Sequence, residues 1–220
     1  MQITTVGVDL AKNVFQVHGV YGDGSVAFNK PLRRAQMLVF FAKLDPCLIG
    51  IEACGSSHYW ARELTALGHE VKLMPASYVK AYVKRGKSDA ADAAAICEAV
   101  TRPSMRFVAI KSEQQQAVLS LHRVRQALIS QRTQLVNMIR GLLAEFGIAL
   151  PRGVDHLRHF ALEMQAGELL DIPETAEDVI ALLCDQLIDL DRRISRLDRT
   201  ILQQSRTDER VVLLQKTSRW

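Results

Sequence analysis

Asp89 and Asp92 stand three residues apart in KSDAADAAAI (87–96), an alanine-rich run that favours a helix. At that spacing their carboxylates share one helix face about a turn apart, where like charges repel. Two further acids close apolar runs: Asp9 in VGVDLAKN and Glu52 after CLIGI. If all four converge, a hard divalent cation that prefers oxygen is the natural counter-charge. Two magnesium ions held about 4 Å apart would activate a nucleophile and stabilise a leaving oxygen in phosphodiester chemistry. Taken singly, each acid has a plainer use. Asp9 and Glu52 suit strand-end turns, and the aspartate pair complements a helix N-terminus after Ser88, worth about 0.3–1 kcal/mol. Only the combination points to a metal site.

The elements that must bring the acids together are legible in the first half of the chain. TTVGVDL (4–10) and VFQVHGVY (14–21) alternate with a strand-like period of two, and GDGS (22–25) is a hairpin turn into VAFN (26–29). Val6 and Val8 then face one side of the first strand, and Asp9 either faces the other with Gly7 or protrudes where the strand ends. A helix over 33–44, a buried strand over 47–53, a helix over 58–68 closed by Gly68 and a fifth strand over 69–74 follow. Tyr59 and Trp60 read as anchors of the second of these helices on the sheet. Three strands in a meander, then strands alternating with helices, imply a mixed α/β sheet with flanking helices, in the order of the ribonuclease H architecture. In that order the first and fourth strands are adjacent and parallel, so Asp9 and Glu52 lie side by side at one sheet end. A helix after the fifth strand returns across it with Asp89 and Asp92. Actin-like ATPases and sugar kinases also open with a strand ending in Gly-x-Asp. Their phosphate turn is small and hydroxylated, whereas DLAKN places Leu10 and Lys12 there.

From about residue 112 the pattern changes to long helices. Leu121, Val124, Leu128, Leu135, Met138 and Leu142 recur at heptad spacing with Gln131 as a polar exception, and Ile180, Leu183, Leu187, Leu190, Ile194, Leu197 and Ile201 continue without a break. Residues 151–171 read as a connector with a short helix. The two stripes either pack on each other within one chain or form a coiled coil that pairs two chains, and seven unbroken positions favour the second. The expected organisation is an α/β unit over 1–108 and a helical coiled-coil region over 109–220.

Composition narrows the setting. With 48% hydrophobic residues the chain can bury a sizeable core, and no apolar run approaches the ~18 residues of a membrane span. No signal peptide opens it, so a cytoplasmic location with no membrane partner is expected. Cys47, Cys54, Cys97 and Cys184 form no CxxC pair and read as buried thiols. A net charge of +4 is compatible with nucleic acid without requiring it.

The motifs together resemble a known family, the DEDD-type transposases of insertion sequences, recombinases guided by a structured bridge RNA. The likeness rests on VGVDLAKNVFQVHGV (6–20), on IGIEACGSSHYW through KSDAADAAAI (49–96) and on SLHRVRQALISQRTQLVNMIRGLLAEFGI (120–148). It implies a RuvC-like domain of ribonuclease H fold whose catalytic, metal-binding tetrad is Asp9, Glu52, Asp89 and Asp92. It further implies two magnesium ions, DNA as substrate, a bridge RNA as partner and a homo-oligomer through the coiled coil. The family continues into a C-terminal domain with a nucleophilic serine, whereas this chain runs RVVLLQKTSRW to its last residue. It is therefore expected to lack that domain, leaving three readings: the N-terminal portion of a transposase, a non-catalytic remnant that dimerises and binds nucleic acid, or a metal-dependent junction nuclease.

Basic residues flank the aspartate pair. Lys80, Lys84, Arg85 and Lys87 precede it, and Arg102 and Arg106 follow, so the rim of an acidic pocket would carry phosphate-neutralising charge. Arg123, Arg125, Arg132 and Arg140 decorate the first long helix, where solvation explains them equally well.

Overall fold

The computed structural model describes residues 1–82 and 88–207. Lys84, Arg85 and Lys87 lie outside the described residues, as does the RVVLLQKTSRW end. The chain divides into two compact units, Met1–Gln114 and a second from Gln115 onward.

In the first unit β1 (Ile3–Asp9), β2 (Val14–Tyr21) and β3 (Val26–Arg33) form an antiparallel meander, and β4 (Leu48–Glu52) and β5 (Glu70–Met74) extend it in parallel, in the order β3-β2-β1-β4-β5. The alternation of small and β-branched residues explains the two faces. Val6, Val8, Phe15, Val17, Ile49 and Ile51 are fully buried on one, against Met37 and Phe41 of α1 (Met37–Phe41) and Trp60 and Leu64 of α2 (Ser57–Ala66). The opposite face is covered by α4 (Asp89–Val100), which follows the short α3 (Ala76–Val79). Ala95, Ile96, Ala99 and Val100 of α4 form a smaller core there with Met74 and Val79.

Several elements differ from expectation for local reasons. β3 runs on through Pro31 to Arg33 because it is an edge strand, where a missing N–H disrupts nothing on the outer side. The helix expected over 33–44 is a 3₁₀ turn at Arg34–Gln36 followed by α1. Trp60 does fix α2 to the sheet, edge-on to Phe15 at 5.1 Å, but Tyr59 is 40% exposed. Of the four thiols Cys54 is exposed, since it lies in the loop after β4 rather than in the core. Buried Cys47 is held by His69, whose Nδ1 accepts the Cys47 N–H at 3.2 Å. The Nε2 atom of His69 lies 3.1 Å from the Phe41 carbonyl, which fits a neutral ring donating there.

The second unit is built from α5 (Glu113–Glu145), α6 (Val154–Gln165) and α7 (Glu174–Thr207). Leu135, Ile139 and Leu143 of α5, Leu157, Phe160 and Ala161 of α6, and Ile180, Cys184, Leu187 and Leu190 of α7 share one core. The stripe on α7 faces inward as its spacing requires. On α5 the buried face is turned by about one residue from the heptad seam: Ile139 and Leu143 are fully buried, while Val124 and Met138 are 49% and 56% exposed. The reason is α6, which packs beside the pair and draws a wider face of α5 inward than a two-helix seam uses. The expected connector thus carries a full third helix.

Three arginines of α5 have partners within the chain, which removes them from the set open to phosphate. Arg125 pairs with Asp198, and Arg132 with Asp191 at 2.9 Å, so α5 and α7 run antiparallel. Arg140 donates to the Pro151 and Gly153 carbonyls, closing the end of the α5–α6 turn. Asp191, whose side chain is 12% exposed, also accepts from Arg158 of α6 at 2.6 Å, so a single carboxylate clamps all three helices. Asp191→Asn removes the charge shared by Arg132 and Arg158, the latter keeping the exposed Asp155, and is expected to destabilise this unit by about 1–3 kcal/mol. Urea unfolding followed by circular dichroism reads the loss, and an unchanged midpoint would show that the clamp contributes nothing.

Candidate metal centre

Asp9 is the last residue of β1 and Glu52 the last of β4, and the two strands are parallel neighbours with Val8 beside Ile51. Both acids therefore emerge at the same sheet end, on the face that α4 covers. Each stands two residues beyond a glycine, in Gly7-Val8-Asp9 and Gly50-Ile51-Glu52, and the two glycines are register partners. Period-two alternation puts glycine and acid on one face and the branched residue between them in the core.

The glycines set how near α4 can come. A Cβ built on Gly7 would lie 2.1 Å from the Ala93 carbonyl oxygen and 2.4 Å from the Cys97 nitrogen, both helix backbone. One on Gly50 would meet Val100 Cβ at 2.8 Å. The helix backbone thus lies directly on the bare sheet, and its alanines present little bulk of their own. Ser88 caps its start, its hydroxyl accepting the Ala91 N–H at 3.2 Å, so the first turn that carries Asp89 and Asp92 is well formed.

Carboxylate oxygens of Asp9, Asp89 and Asp92 all lie within 4.8 Å of one another. Glu52 stands outside that group of three, but it is near enough for its charge to act on Asp9. Burial, followed by the charges of Asp92, Asp89 and Glu52, pushes the Asp9 carboxyl up to about 6 from 3.8. An acid so strained by its neighbours is relieved by a proton or by a cation. The donor set is all oxygen, which matches a hard divalent ion and not a zinc site built on nitrogen and sulfur.

The basic residues divide. Lys80 and Arg106 are exposed, whereas Arg102 is engaged with Glu98 at 2.5 Å, an i, i+4 pair on the end of α4 and the turn after it. Lys84, Arg85 and Lys87 lie outside the described residues. Gly7 and Gly50 are determinants of the centre that the acids' spacing alone does not disclose, and the repeated Gly-x-acid pattern at two strand ends is the signal for them. His18, paired with Gly7 across β1 and β2, carries no such signal; its Nδ1 is buried without a hydrogen-bond partner, and burial lowers its pKa.

Comparison with known proteins agrees with this architecture. Residues 6–148 match the IS110-type DEDD family, described as a transposase. A Pseudomonas aeruginosa protein named as a probable family 20 transposase is 50% identical over 212 residues, covering 96% of this chain and 63% of that protein. The transposase for insertion sequence element IS1328 of Yersinia enterocolitica is 37% identical over 196 residues, covering 87% of this chain and 59% of its own length. The chain thus spans roughly three-fifths of the length of these relatives. Since the matched region runs from within β1 through β5, α4 and all of α5, well over half of the chain, the chain belongs to the IS110-type DEDD transposase family.

Proposed function

We propose that the sheet unit is the ribonuclease H-like, RuvC-like catalytic domain of a transposase that acts on DNA, with Asp9, Glu52, Asp89 and Asp92 holding two magnesium ions. The observation that carries the reading is the convergence of three carboxylates within 4.8 Å at the end of two parallel strands. The order β3-β2-β1-β4-β5, three antiparallel strands followed by two parallel ones, supports the fold assignment. When bound, the metal supplies the positive charge that activates a hydroxyl nucleophile and stabilises the leaving oxygen at phosphorus.

The chain's own part is to present the ligands rigidly and in the right protonation state. Asp9 and Glu52 are fixed by strands and Asp89 and Asp92 by a capped helix turn, so closing the site requires little reordering. Asp9 must give up its proton to serve as a ligand, so protons compete with the cation as pH falls through about 6. Exposed Lys80 and Arg106, with Lys84, Arg85 and Lys87, would neutralise DNA phosphates around the centre, and Arg102 would join them by exchanging Glu98 for a phosphate. A bridge RNA would supply sequence specificity, because this basic set is suited to backbone contact and not to base reading. Pairing between copies through the helical unit is supported by Val124 and Met138, which stay exposed on α5 although α5 and α7 already pack within the chain.

Calorimetry with magnesium and with manganese tests the site. The wild-type chain is expected to bind either ion, and a Glu52→Ala, Asp92→Ala double variant to bind at least about tenfold more weakly. Equal affinity in the two proteins would sink the assignment. Cleavage of branched DNA that depends on magnesium and is lost in Asp89→Ala would favour a junction nuclease active without further domains.

A further inference from the structure

On the α4 side of the sheet, the row that contains Asp9 continues into two amide side chains that none of the acid chemistry uses. Gln16 of β2 is the direct cross-strand partner of Asp9, and Asn29 of β3 is the partner of His18 one pair further along. Side chains of paired residues share a face, so Gln16 and Asn29 are diagonal neighbours beside the carboxylates. Gln16 Nε2 donates to Asn29 Oδ1 at 2.7 Å. That bond fixes the orientation of the Asn29 amide, turning its NH₂ toward α4, where Nδ2 donates to the Ala90 carbonyl at 3.4 Å. Ala90 lies between Asp89 and Asp92 in the first turn of the helix.

We propose that Asn29 is a positioning residue for the metal centre, oriented by Gln16, which ties the first turn of α4 to the sheet and so sets Asp89 and Asp92 against Asp9. The inference rests on the metal-site reading above. It concerns a part of the centre where geometry is least secured by packing. Deeper in the helix, Ala93, Ile96 and Cys97 are buried against the sheet, but Ser88 and Asp89 at its start are exposed. A polar link from the edge strand β3 is the device available there. Neither amide contributes to the core: Asn29 is exposed and Gln16 only partly covered. Removing either should therefore leave folding largely intact while loosening the ligands, the pattern of outer-shell groups at metal sites.

Manganese binding to the wild-type chain, followed by electron paramagnetic resonance, tests this beside thermal unfolding of the same proteins. Asn29→Ala and Gln16→Ala are each expected to weaken manganese binding about tenfold, with the thermal midpoint shifted by no more than about 2 °C. The double variant should bind about as weakly as either single one, since both remove the same link. Asn29→Asp keeps the size, replaces the donor by an acceptor and adds a negative charge. It weakens binding if the link to Ala90 matters, and strengthens it if only nearby charge does. Variants that bind as tightly as wild type, or additive losses in the double variant, would overturn the positioning role alone. A wild-type chain that binds no manganese would overturn the metal-site reading and this role with it.

Discussion

Asp9→Asn is expected to abolish divalent-ion binding and, at neutral pH, to make the metal-free protein more stable than wild type. Burial and three neighbouring acids raise the Asp9 pKa from 3.8 to about 6, so the folded state holds this proton more tightly than the unfolded chain does. The associated stabilisation is present below about 3.8 and is lost as pH rises through 6. Above that the native state carries a half-buried charge among like charges. Two pKa units correspond to roughly 3 kcal/mol if transmitted in full, and solvent screening at a half-exposed group reduces this to about 1–2 kcal/mol. An amide has no charge to repel, so the variant should gain about that amount near pH 7.5 and nothing near pH 4. Thermal unfolding across that range, with chelator present, measures it. A variant less stable than wild type at pH 7.5 would mean that the carboxylate is held by partners that favour its charge.

Gly7→Ala should produce the larger structural loss. The added methyl meets backbone atoms of α4 at 2.1 and 2.4 Å, which no side-chain rotation relieves, so the helix must lift from β1 or the strand must bow. Overpacking of this kind costs about 3 kcal/mol or more, and here it also moves the segment that carries Asp89 and Asp92. Gly50→Ala should be milder, because its first contact, Val100 Cβ at 2.8 Å, is less close than the backbone contacts at Gly7 and needs only a small shift of the last turn of α4. Gly55→Ala, with nothing within 4 Å, should be neutral to within about 0.5 kcal/mol. The expected order is therefore Gly7, Gly50, Gly55 in both urea midpoint and manganese affinity. A Gly7→Ala protein with wild-type stability and affinity would show that α4 does not need this close approach.

Much of the sheet unit was legible because its signals are local and mutually consistent. Alternation placed Val6 and Val8 opposite Asp9. A turn rich in glycine and aspartate joined β2 to β3, and the order of strands and helices made β1 and β4 parallel neighbours. The convergence of Asp9 with Asp89 and Asp92 followed from that topology. What escaped depends on which third body packs where. The α5 stripe was assigned on a strict 3.5-residue seam, yet Leu135, Ile139 and Leu143 are the buried set because α6 shares the face. For Arg125 and Arg132 the sequence left solvation and phosphate contact equally open, since their partners Asp198 and Asp191 lie more than fifty residues away. The contact of Asn29 with Ala90 joins residues 61 apart on an edge strand and a helix, which no local pattern discloses.

The Asp191 clamp gives the chain an order of events in acid. Burial alone would raise the Asp191 carboxyl, but hydrogen bonds and charge from Arg158 and Arg132 outweigh it and hold the group below its usual range. Its contribution is kept above about pH 4 and is lost only as pH falls through that depressed value. Asp9 takes up its proton near 6, far earlier, and in doing so relaxes the repulsion within the sheet unit. On the proposed metal-site reading, mild acid is therefore expected to weaken cation binding at Asp9 before the Asp191 clamp titrates, and manganese binding and circular dichroism followed together as pH falls from 7.5 would show the two events apart.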